Sequence, residues 1–126
     1  MTIWIVWGIV LAMAAWMGYN YLRIRRAAKI VDNAEFEALI RKGQLIDVRD
    51  AAEFHRKHIL GARNIPSSQL KSSLAALRKD KPVLLYENQR GQLVTNAALY
   101  LKKQGFSEIY ILSYGLDSWK GKVKTS

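Results

Sequence analysis

Hydrophobic and polar residues divide this chain into one uninterrupted apolar segment and a longer part in which the two kinds alternate. Residues 2–22 carry no charged side chain, whereas all 20 basic and all 10 acidic residues lie from Arg23 onward. Beyond Arg23, short apolar runs typical of buried strands alternate with segments whose apolar residues recur every three or four positions, as in amphipathic helices. The pattern therefore predicts an apolar N-terminal helix followed by an α/β domain.

The apolar segment, TIWIVWGIVLAMAAWMGYNYL, has the length and the flanks of a transmembrane helix. As a helix its 21 residues would span roughly 31 Å, close to the ~30 Å hydrocarbon core of a bilayer. Aromatic residues lie near both of its ends, as in the aromatic belts at the two membrane interfaces; they are Trp4, Trp7, Trp16, Tyr19 and Tyr21. We therefore predict one transmembrane helix at residues 1–22.

A basic cluster, Arg23, Arg25, Arg26 and Lys29, follows the apolar segment, and no basic residue precedes it. The positive-inside rule then places the N-terminus outside the cell membrane and the C-terminal domain in the cytoplasm. Each basic residue near an anionic leaflet contributes about 1 kcal/mol of attraction. Residues 23–29 are accordingly predicted to be a juxtamembrane segment that faces the lipid bilayer.

Two other interpretations of the apolar segment remain. Ala12-Met13-Ala14 fits the cleavage site of a signal peptide, although the positive n-region of such peptides is missing and the basic cluster opposes export. A buried helix of a soluble domain is the second alternative, but helices that are apolar all round are rare in domains of this size.

The rest of the pattern predicts a small, mainly parallel sheet flanked by helices at residues 30–120, followed by a frayed basic tail at 121–126. Predicted strands lie at 30–31, 45–48, 83–86 and 109–112. Helices are predicted to begin at Asp32, at Asp50 and at Ser67 or Ser68, then over 92–104, with a last short helix holding Trp119. The connections between strands are long enough for right-handed crossovers, so the sheet is expected to be covered on both faces.

Two polar segments follow predicted strands, at the edge where open α/β sheets place their functional crevice. One is Asp47-Val48-Arg49. The other is a tight loop that joins a buried strand to the start of a helix, a geometry that aims backbone N–H groups into a concavity suited to a nucleophile or a phosphate. This active-site-like loop comprises Glu87, Asn88, Gln89, Arg90, Gly91, Gln92 and Leu93.

Several ordered motifs resemble the rhodanese-like domains. Residues 45–49 (LIDVR), Glu53-Phe54 and residues 58–66 (HILGARNIP) are similar to the family signature D-V-R…E-F…G-H-I-x-G-A-x-N-I-P, with Lys57 in place of a glycine. Residues 101–106 (LKKQGF) and 112–119 (LSYGLDSW) resemble two further family motifs, with Tyr114 replacing a glycine. The resemblance covers about residues 30–120 and implies a rhodanese-like fold.

The resemblance also implies where a nucleophile would be. Sulfurtransferases of this family carry a persulfide-forming cysteine in a C-x-x-G-x-R loop after the strand that reads VLLY here. Counting from the strand maps that cysteine to Glu87, and counting back from Leu101 and Gly105 maps it to Asn88, which we prefer because it keeps Gly91 as the loop glycine. The chain contains no cysteine, and persulfide transfer needs a thiolate. We therefore expect no catalytic residue.

The other polar residues have structural and functional interpretations. Asp47 and Arg49 are expected to form a buried polar pair or loop clamp, and His58, at the family's G-H-I position, is expected to be structural. His55 and His58 lack a clear third ligand, so we predict neither a metal nor a cofactor. Glu87 and Asn88 either fill the amide concavity themselves or recognise a group on a partner.

A membrane-tethered, catalytically inactive binding module in a bacterium is the function that these features favour. It would present loop 87–93 and its basic surface to a protein partner at the membrane. One alternative is a sulfurtransferase or persulfide relay, as the family resemblance implies. Another is a non-catalytic sensor in which Arg90 and the loop amides hold a small anion. The net charge of +10 could suggest nucleic acid, but the basic residues are scattered without interleaved aromatics, and we predict no such partner.

Overall fold

A long helix, α1, covers the apolar segment and continues beyond it to Ala27 (Thr2–Ala27). The structure is a computed structural model that describes residues 2–89 and 91–125, with the side chains of residues 23–27 left out. The stretch Thr2–Leu22 is long and apolar enough to cross a membrane, and none of its most apolar window is buried inside the protein. Ala28 follows α1 directly and is buried in the domain core, so the end of α1 leads straight into the domain.

The remaining residues form a parallel five-stranded sheet with helices on both faces, which confirms the predicted fold class. Its strand order is β1-β6-β5-β2-β4, and every pairing in it is parallel. The elements are β1 (Lys29–Val31), α2 (Asn33–Ile40), β2 (Gln44–Asp47), α3 (Ala51–Arg56), β3 (His58–Ile59), β4 (Arg63–Asn64), β5 (Val83–Tyr86), α4 (Gln92–Lys103), β6 (Ile109–Leu112) and β7 (Val123–Lys124).

Successive side chains of a strand point to opposite faces of the sheet, so the buried strands contribute to one hydrophobic core on each face. In β5, Val83 and Leu85 belong to the core beneath α4, whereas Leu84 and Tyr86 belong to the core beneath α2. α4 buries a helical stripe, formed by Val94, Ala97, Ala98 and Leu101, as its spacing predicts. α2 buries Phe36, and the Asp32 side chain caps it by accepting a hydrogen bond from the Glu35 N–H at 2.9 Å.

The helix start predicted at Asp50 is confirmed, whereas the helix predicted from Ser67 or Ser68 was wrong. Asp50 precedes α3 and its carbonyl accepts the first helical bond, from the Phe54 N–H, but its side chain makes no capping bond. The helix predicted from Ser67 or Ser68 is two short 3₁₀ turns, Ser67–Gln69 and Lys71–Ala76, and neither has a side-chain cap.

The C-terminal segment also differs from the prediction. Trp119 follows a 3₁₀ turn at Leu116–Ser118 instead of lying within a helix. Residues 123–124, expected to fray, form β7 and pair antiparallel with β3, with Ile59 opposite Val123. The sequence carries no signal for this strand, because two residues are too few to show an alternation of apolar and polar side chains.

Candidate functional site

The candidate site lies at the carboxyl edge of the sheet, where β2 and β5 end side by side. Asp47 pairs in register with Tyr86, so the residues that follow each strand are neighbours in space. The structure thereby brings the Asp47–Arg49 segment to the loop between β5 and α4. It also places the turn at residues 115–117, which sequence reasoning missed as part of the site, against that loop.

The Glu87 carboxylate occupies the amide concavity of the loop. Its Oε2 accepts hydrogen bonds from the Gly91 N–H at 3.1 Å and the Val94 N–H at 2.9 Å. Gly91 precedes α4 and has no side chain to cap the helix, so Glu87 satisfies two of the N–H groups that a helix N-terminus leaves without partners. Its negative charge is also favourable at the positive end of the helix dipole. The cradle that the sequence predicts is therefore filled by the protein's own carboxylate.

Asn88 points to the other side of the loop. Its Oδ1 accepts a hydrogen bond from Arg49 Nη1 at 2.8 Å. The two positions to which the family cysteine maps therefore face different surroundings: the Glu87 side chain meets backbone amides, and the Asn88 side chain meets a guanidinium. The mapping of that cysteine to Asn88 or Glu87 stays a prediction.

The 115–117 turn fixes the loop backbone. The Leu116 N–H donates to the Glu87 carbonyl at 2.8 Å, and the Asp117 N–H donates to the Asn88 carbonyl at 3.0 Å. Gly115 has a φ of +69°, and a Cβ there would lie 2.4 Å from the Asn88 carbonyl oxygen. A glycine is therefore required at 115 both by backbone conformation and by space. Residues 112–119 in the sequence contained the signal, as a family motif with one glycine kept.

Asp47 and Arg49 form the buried ion pair that the sequence predicts. Arg49 donates from Nη2 to Asp47 Oδ2 at 2.6 Å and from Nε to Asp47 Oδ1 at 2.9 Å, and both residues are buried. Burial opposes the charge on Arg49, but its hydrogen bond and attraction to Asp47 outweigh burial and hold the Arg49 pKa above its ordinary value. Arg49 Nη2 also donates to the Lys57 carbonyl at 2.5 Å, so this guanidinium joins β2, the loop and the segment before β3.

Tyr86, the last residue of β5, is a site residue that the sequence pattern hid within an apolar run. Its hydroxyl accepts a hydrogen bond from the Ile59 N–H at 3.0 Å, and its side chain is fully buried. Burial, followed by the nearby Asp47 charge, raises the Tyr86 pKa well above its usual value. Tyr86 is therefore a neutral structural acceptor under the site and is unsuited to act as a base.

His58 lies beside this network and packs within it. The His58 side chain is buried, its Nδ1 is 2.7 Å from the Phe54 carbonyl oxygen, and its ring stacks on Phe54 with centroids 3.8 Å apart. These contacts suit the structural role predicted for it. Within residues 2–89 and 91–125, the structure contains no group of three or more His, Cys, Asp or Glu side chains that could hold a metal ion.

The other predicted residues differ in what they contribute. Gln89 is exposed, and its Nε2 lies 3.4 Å from Asp117 Oδ2. Gln92 and Leu93 open α4; Gln92 bonds Asn96 and Leu93 is partly exposed. Lys29 is exposed at the start of β1. Arg90 and the side chains of Arg23, Arg25 and Arg26 lie outside the described residues.

Two shallow cavities open beside the loop. One, of about 230 Å³, is lined by Arg49, Arg56, Lys57, Asn88 and Asp117, among others. The other, of about 300 Å³, is lined by Gln89, Ser113, Tyr114, Asp117 and Ser118. Tyr114, which replaces the first of two glycines in the family motif, is 68% exposed and adds an aromatic surface to this rim.

Comparisons with known proteins agree with this architecture. The sequence profile described as Rhodanese-like domain matches residues 32–122. The uncharacterized protein YqhL of Bacillus subtilis (strain 168) is 47% identical over 113 residues, covering 90% of this chain and 89% of its own. The thiosulfate sulfurtransferase GlpE of Stutzerimonas stutzeri (strain A1501) is 37% identical over 76 residues, covering 60% of this chain and 69% of its own.

A solved structure extends the agreement to three dimensions. The crystal structure of a full-length protein from Lactobacillus plantarum superposes with a TM-score of 0.71 at 27% identity, covering 91% of this chain and 98% of that one. Together the profile, the relatives and this structure confirm the resemblance that the motifs carry.

Proposed function

This chain belongs to the rhodanese-like domain family, and from that premise we propose that it is a membrane-anchored, catalytically inactive member that binds a protein partner at the cytoplasmic face of the membrane. The family fold and an apolar N-terminal helix are present, whereas the chain contains no cysteine. The bond between the Glu87 carboxylate and the loop amides carries the proposal, because it fills the place where a reacting group would be held.

The loss of catalysis follows from the chemistry of sulfur transfer. A persulfide forms on a polarizable thiolate, and neither a carboxylate nor an amide can replace one. Glu87 Oε2 also accepts from the Gly91 and Val94 N–H groups, so amides that could stabilise a bound anion already have a partner. The loop then has its amides bonded and lacks the reacting group.

The surface around the loop has features of a recognition site. Gln89 and Tyr114 are exposed and line the same cavity of about 300 Å³, while the hydrogen bonds to the 115–117 turn hold the loop backbone in place. An exposed aromatic side chain on a rigid, polar rim supplies contact area at a low cost in conformational entropy. A protein partner would therefore meet a preorganised surface at this edge.

Site-specific photocrosslinking in the membrane tests this proposal. A photoreactive phenylalanine analogue would replace Tyr114 in the full chain, and the matched control would carry it at Leu60, which is 48% exposed and lies beside β3, outside the two loop cavities. We expect a discrete crosslinked partner from position 114 that is lost when Gln89→Ala is added. Identical products from positions 114 and 60 would contradict docking at the loop.

A sulfurtransferase remains the second candidate, because several relatives carry the name thiosulfate sulfurtransferase. Purified full chain would be mixed with thiosulfate and cyanide, and thiocyanate would be measured. We expect none above the rate without protein. Transfer by protein shown by mass spectrometry to be free of other polypeptides would overturn the inactive assignment.

A non-catalytic anion sensor is the third candidate, supported by the cavity that Arg56 and Lys57 help to line. Arg56 Nη1 lies 3.3 Å from Glu53 Oε1, and the Glu87 carboxylate repels an incoming anion. Titration calorimetry with thiosulfate, sulfate and phosphate should therefore give no binding heat. Saturable binding of any of the three would favour sensing over protein docking.

A further inference from the structure

The amino edge of the sheet, where the parallel strands begin, carries a lysine-rich surface formed by segments far apart in sequence. Lys42 precedes β2, Lys79 and Lys81 precede β5, and Lys102 and Lys103 end α4. All five side chains are exposed. We call these five residues the amino-edge surface.

Contacts within the domain hold these segments next to one another. Gln44 Nε2 donates to the Arg78 carbonyl at 2.7 Å, and Gln44 Oε1 accepts from the Arg78 N–H at 2.7 Å. The Lys79 ammonium lies 5.9 Å from the centroid of the Phe106 ring, which follows α4. The lysines therefore form one surface, held together by hydrogen bonds from the Gln44 side chain to the Arg78 backbone and by the contact of Lys79 with Phe106.

Little negative charge offsets the amino-edge surface. Asp80 is paired with Arg78 at 2.5 Å, which leaves Glu108 as the acidic residue beside β6 at this edge. The opposite, carboxyl edge is acidic by comparison, although Arg49 pairs there with Asp47 and Arg56 with Glu53. Its acidic residues, Asp32, Asp47, Asp50, Glu53, Glu87 and Asp117, outnumber the basic residues described there, Arg49, Arg56 and Lys57. The charge of the domain is thus polarised along the direction of the strands.

α1 enters the domain at the amino edge. The chain leaves α1 at Ala27 and enters β1 at its amino end, at Lys29, so the end of α1 and the amino-edge surface lie on the same side of the sheet. Five helical residues, about 7.5 Å of axis, separate Leu22 from the end of α1. That length is close to the Debye length of ≈ 8 Å at physiological ionic strength, within which an anionic surface attracts basic side chains.

We propose that the amino-edge surface docks on anionic phospholipid headgroups and holds the domain upright, with loop 87–93 facing away from the bilayer. This inference rests on the membrane anchor in the proposed function. A strand of four residues adds about 13 Å, so the carboxyl edge lies beyond the reach of the lipid charge. The site is then open to a partner that arrives from solution.

Lipid quenching of a single fluorophore tests the orientation. Because the chain contains no cysteine, Ser107→Cys and Tyr114→Cys each create one labelling position. They lie before and after β6 (Ile109–Leu112), one at each edge. Each labelled full-length chain would be reconstituted into vesicles of phosphatidylcholine alone or with 30% phosphatidylglycerol, with a nitroxide on a fraction of the headgroups.

We expect the label at position 107 to be quenched in anionic vesicles and far less in neutral ones. The label at position 114 should not be quenched in either kind of vesicle. A triple variant, Lys42→Glu, Lys81→Glu and Lys103→Glu, should abolish the difference, because each lysine near an anionic surface contributes on the order of a fivefold preference for the docked state. The matched control is Lys120→Glu, Lys122→Glu and Lys124→Glu, which changes the charge equally in the segment that pairs with β3; quenching at 107 should persist in it.

The possible outcomes distinguish lipid docking by the amino-edge surface from membrane anchoring by α1. Flotation of the vesicles reports anchoring independently: a chain that fails to float with neutral vesicles contradicts the anchor itself. A chain that floats but shows equal quenching at position 107 in both kinds of vesicle overturns lipid docking by the amino edge. An equal loss of quenching at 107 in both triple variants overturns it as well. Quenching at 114 that exceeds that at 107 would reverse the proposed orientation.

Discussion

Two carboxylates at neighbouring strand ends are held in opposite ways. Asp47, at the end of β2, is fully buried and bonded to the guanidinium of Arg49. Glu87, directly after β5, is half-buried and bonded to backbone N–H groups at the start of α4. The first carboxylate neutralises a buried cation, and the second fills a cradle of backbone dipoles.

This difference separates what holds the fold from what shapes the site. Arg49 connects β2, the loop and the Lys57 carbonyl, so the Asp47–Arg49 pair is part of the core of this edge. Glu87 could be replaced without leaving a charge unpaired, because its partners are amides that water can reach when the side chain is shortened. We therefore expect changes at the pair to unfold the domain and changes at Glu87 to alter the loop.

Arg49→Ala should have the largest effect. It leaves Asp47 buried without a cation, and breaking a buried ion pair in this way costs about 3–5 kcal/mol of unfolding free energy. Urea unfolding of the full chain in mild detergent, followed by circular dichroism, measures the loss. Arg78→Ala is the matched control, because it removes an exposed pair with Asp80, and its midpoint should not move. Equal midpoints for the two variants would show that the Asp47–Arg49 pair is no more than a surface contact.

Tyr86→Phe extends the comparison to the residue between the two carboxylates. The change leaves the buried Ile59 N–H without its acceptor, which costs roughly 1–3 kcal/mol. In the folded wild type the Tyr86 pKa lies above its value in the unfolded chain, so its contribution is complete below about pH 10 and declines at higher pH. That decline arises because the unfolded tyrosine loses its proton first.

Unfolding free energies at pH 8 and pH 11 test both parts of this prediction. The difference between wild type and Tyr86→Phe should be larger at pH 8 than at pH 11. Tyr110→Phe, in β6 and partly exposed, is the control for general tyrosine titration. A gap that stays constant with pH would mean that the Tyr86 hydroxyl ionises equally in both states.

The sequence predicted the parts of the fold that are marked by an apolar run or by helical periodicity. The four buried strands of the central sheet were predicted from short apolar runs and the buried stripe of α4 from its recurrence every three or four residues, and each element was found within one residue of its predicted start. The 3₁₀ turns at residues 67–76 and the β3–β7 pair escaped prediction because each is too short to display a period. Their positions depend on tertiary contacts, such as the bond from the Leu60 N–H to the Lys122 carbonyl.

Some features of the candidate site could likewise be predicted from the sequence, and others could not. The predicted parallel sheet indicated that Asp47, Arg49 and the loop meet at one edge, because each follows the carboxyl end of a strand. The sequence could not predict which side chain would enter the concavity, because Glu87 and Asn88 are adjacent and the loop conformation decides which of them turns toward α4. It also gave no sign of Tyr86, whose hydroxyl acts through a backbone group 27 residues away in sequence.

Glu87→Ala tests whether the carboxylate caps α4. Losing a side-chain cap costs about 0.5–2 kcal/mol, and Glu87→Gln should restore most of it, because an amide oxygen can accept the same two hydrogen bonds. Asp50→Ala is the control, since Asp50 precedes α3 without a side-chain capping bond. The same unfolding experiment measures all three. Losses at Asp50 equal to those at Glu87 would contradict a capping role specific to Glu87.

The smallest expected effect is the sharpest test of which position faces the cradle. Glu87→Cys would place a thiol toward the Gly91 and Val94 N–H groups at the start of α4, whereas Asn88→Cys would place one beside Arg49, whose charge Asp47 already balances. A helix N-terminus stabilises a negative charge by about 0.3–1 kcal/mol, so the thiol pKa at 87 should lie below that at 88 by a few tenths of a pH unit. The pH dependence of alkylation by iodoacetamide measures both values. A lower pKa at 88 would contradict this prediction, because Arg49 would then stabilise a thiolate at 88 more than the loop amides stabilise one at 87.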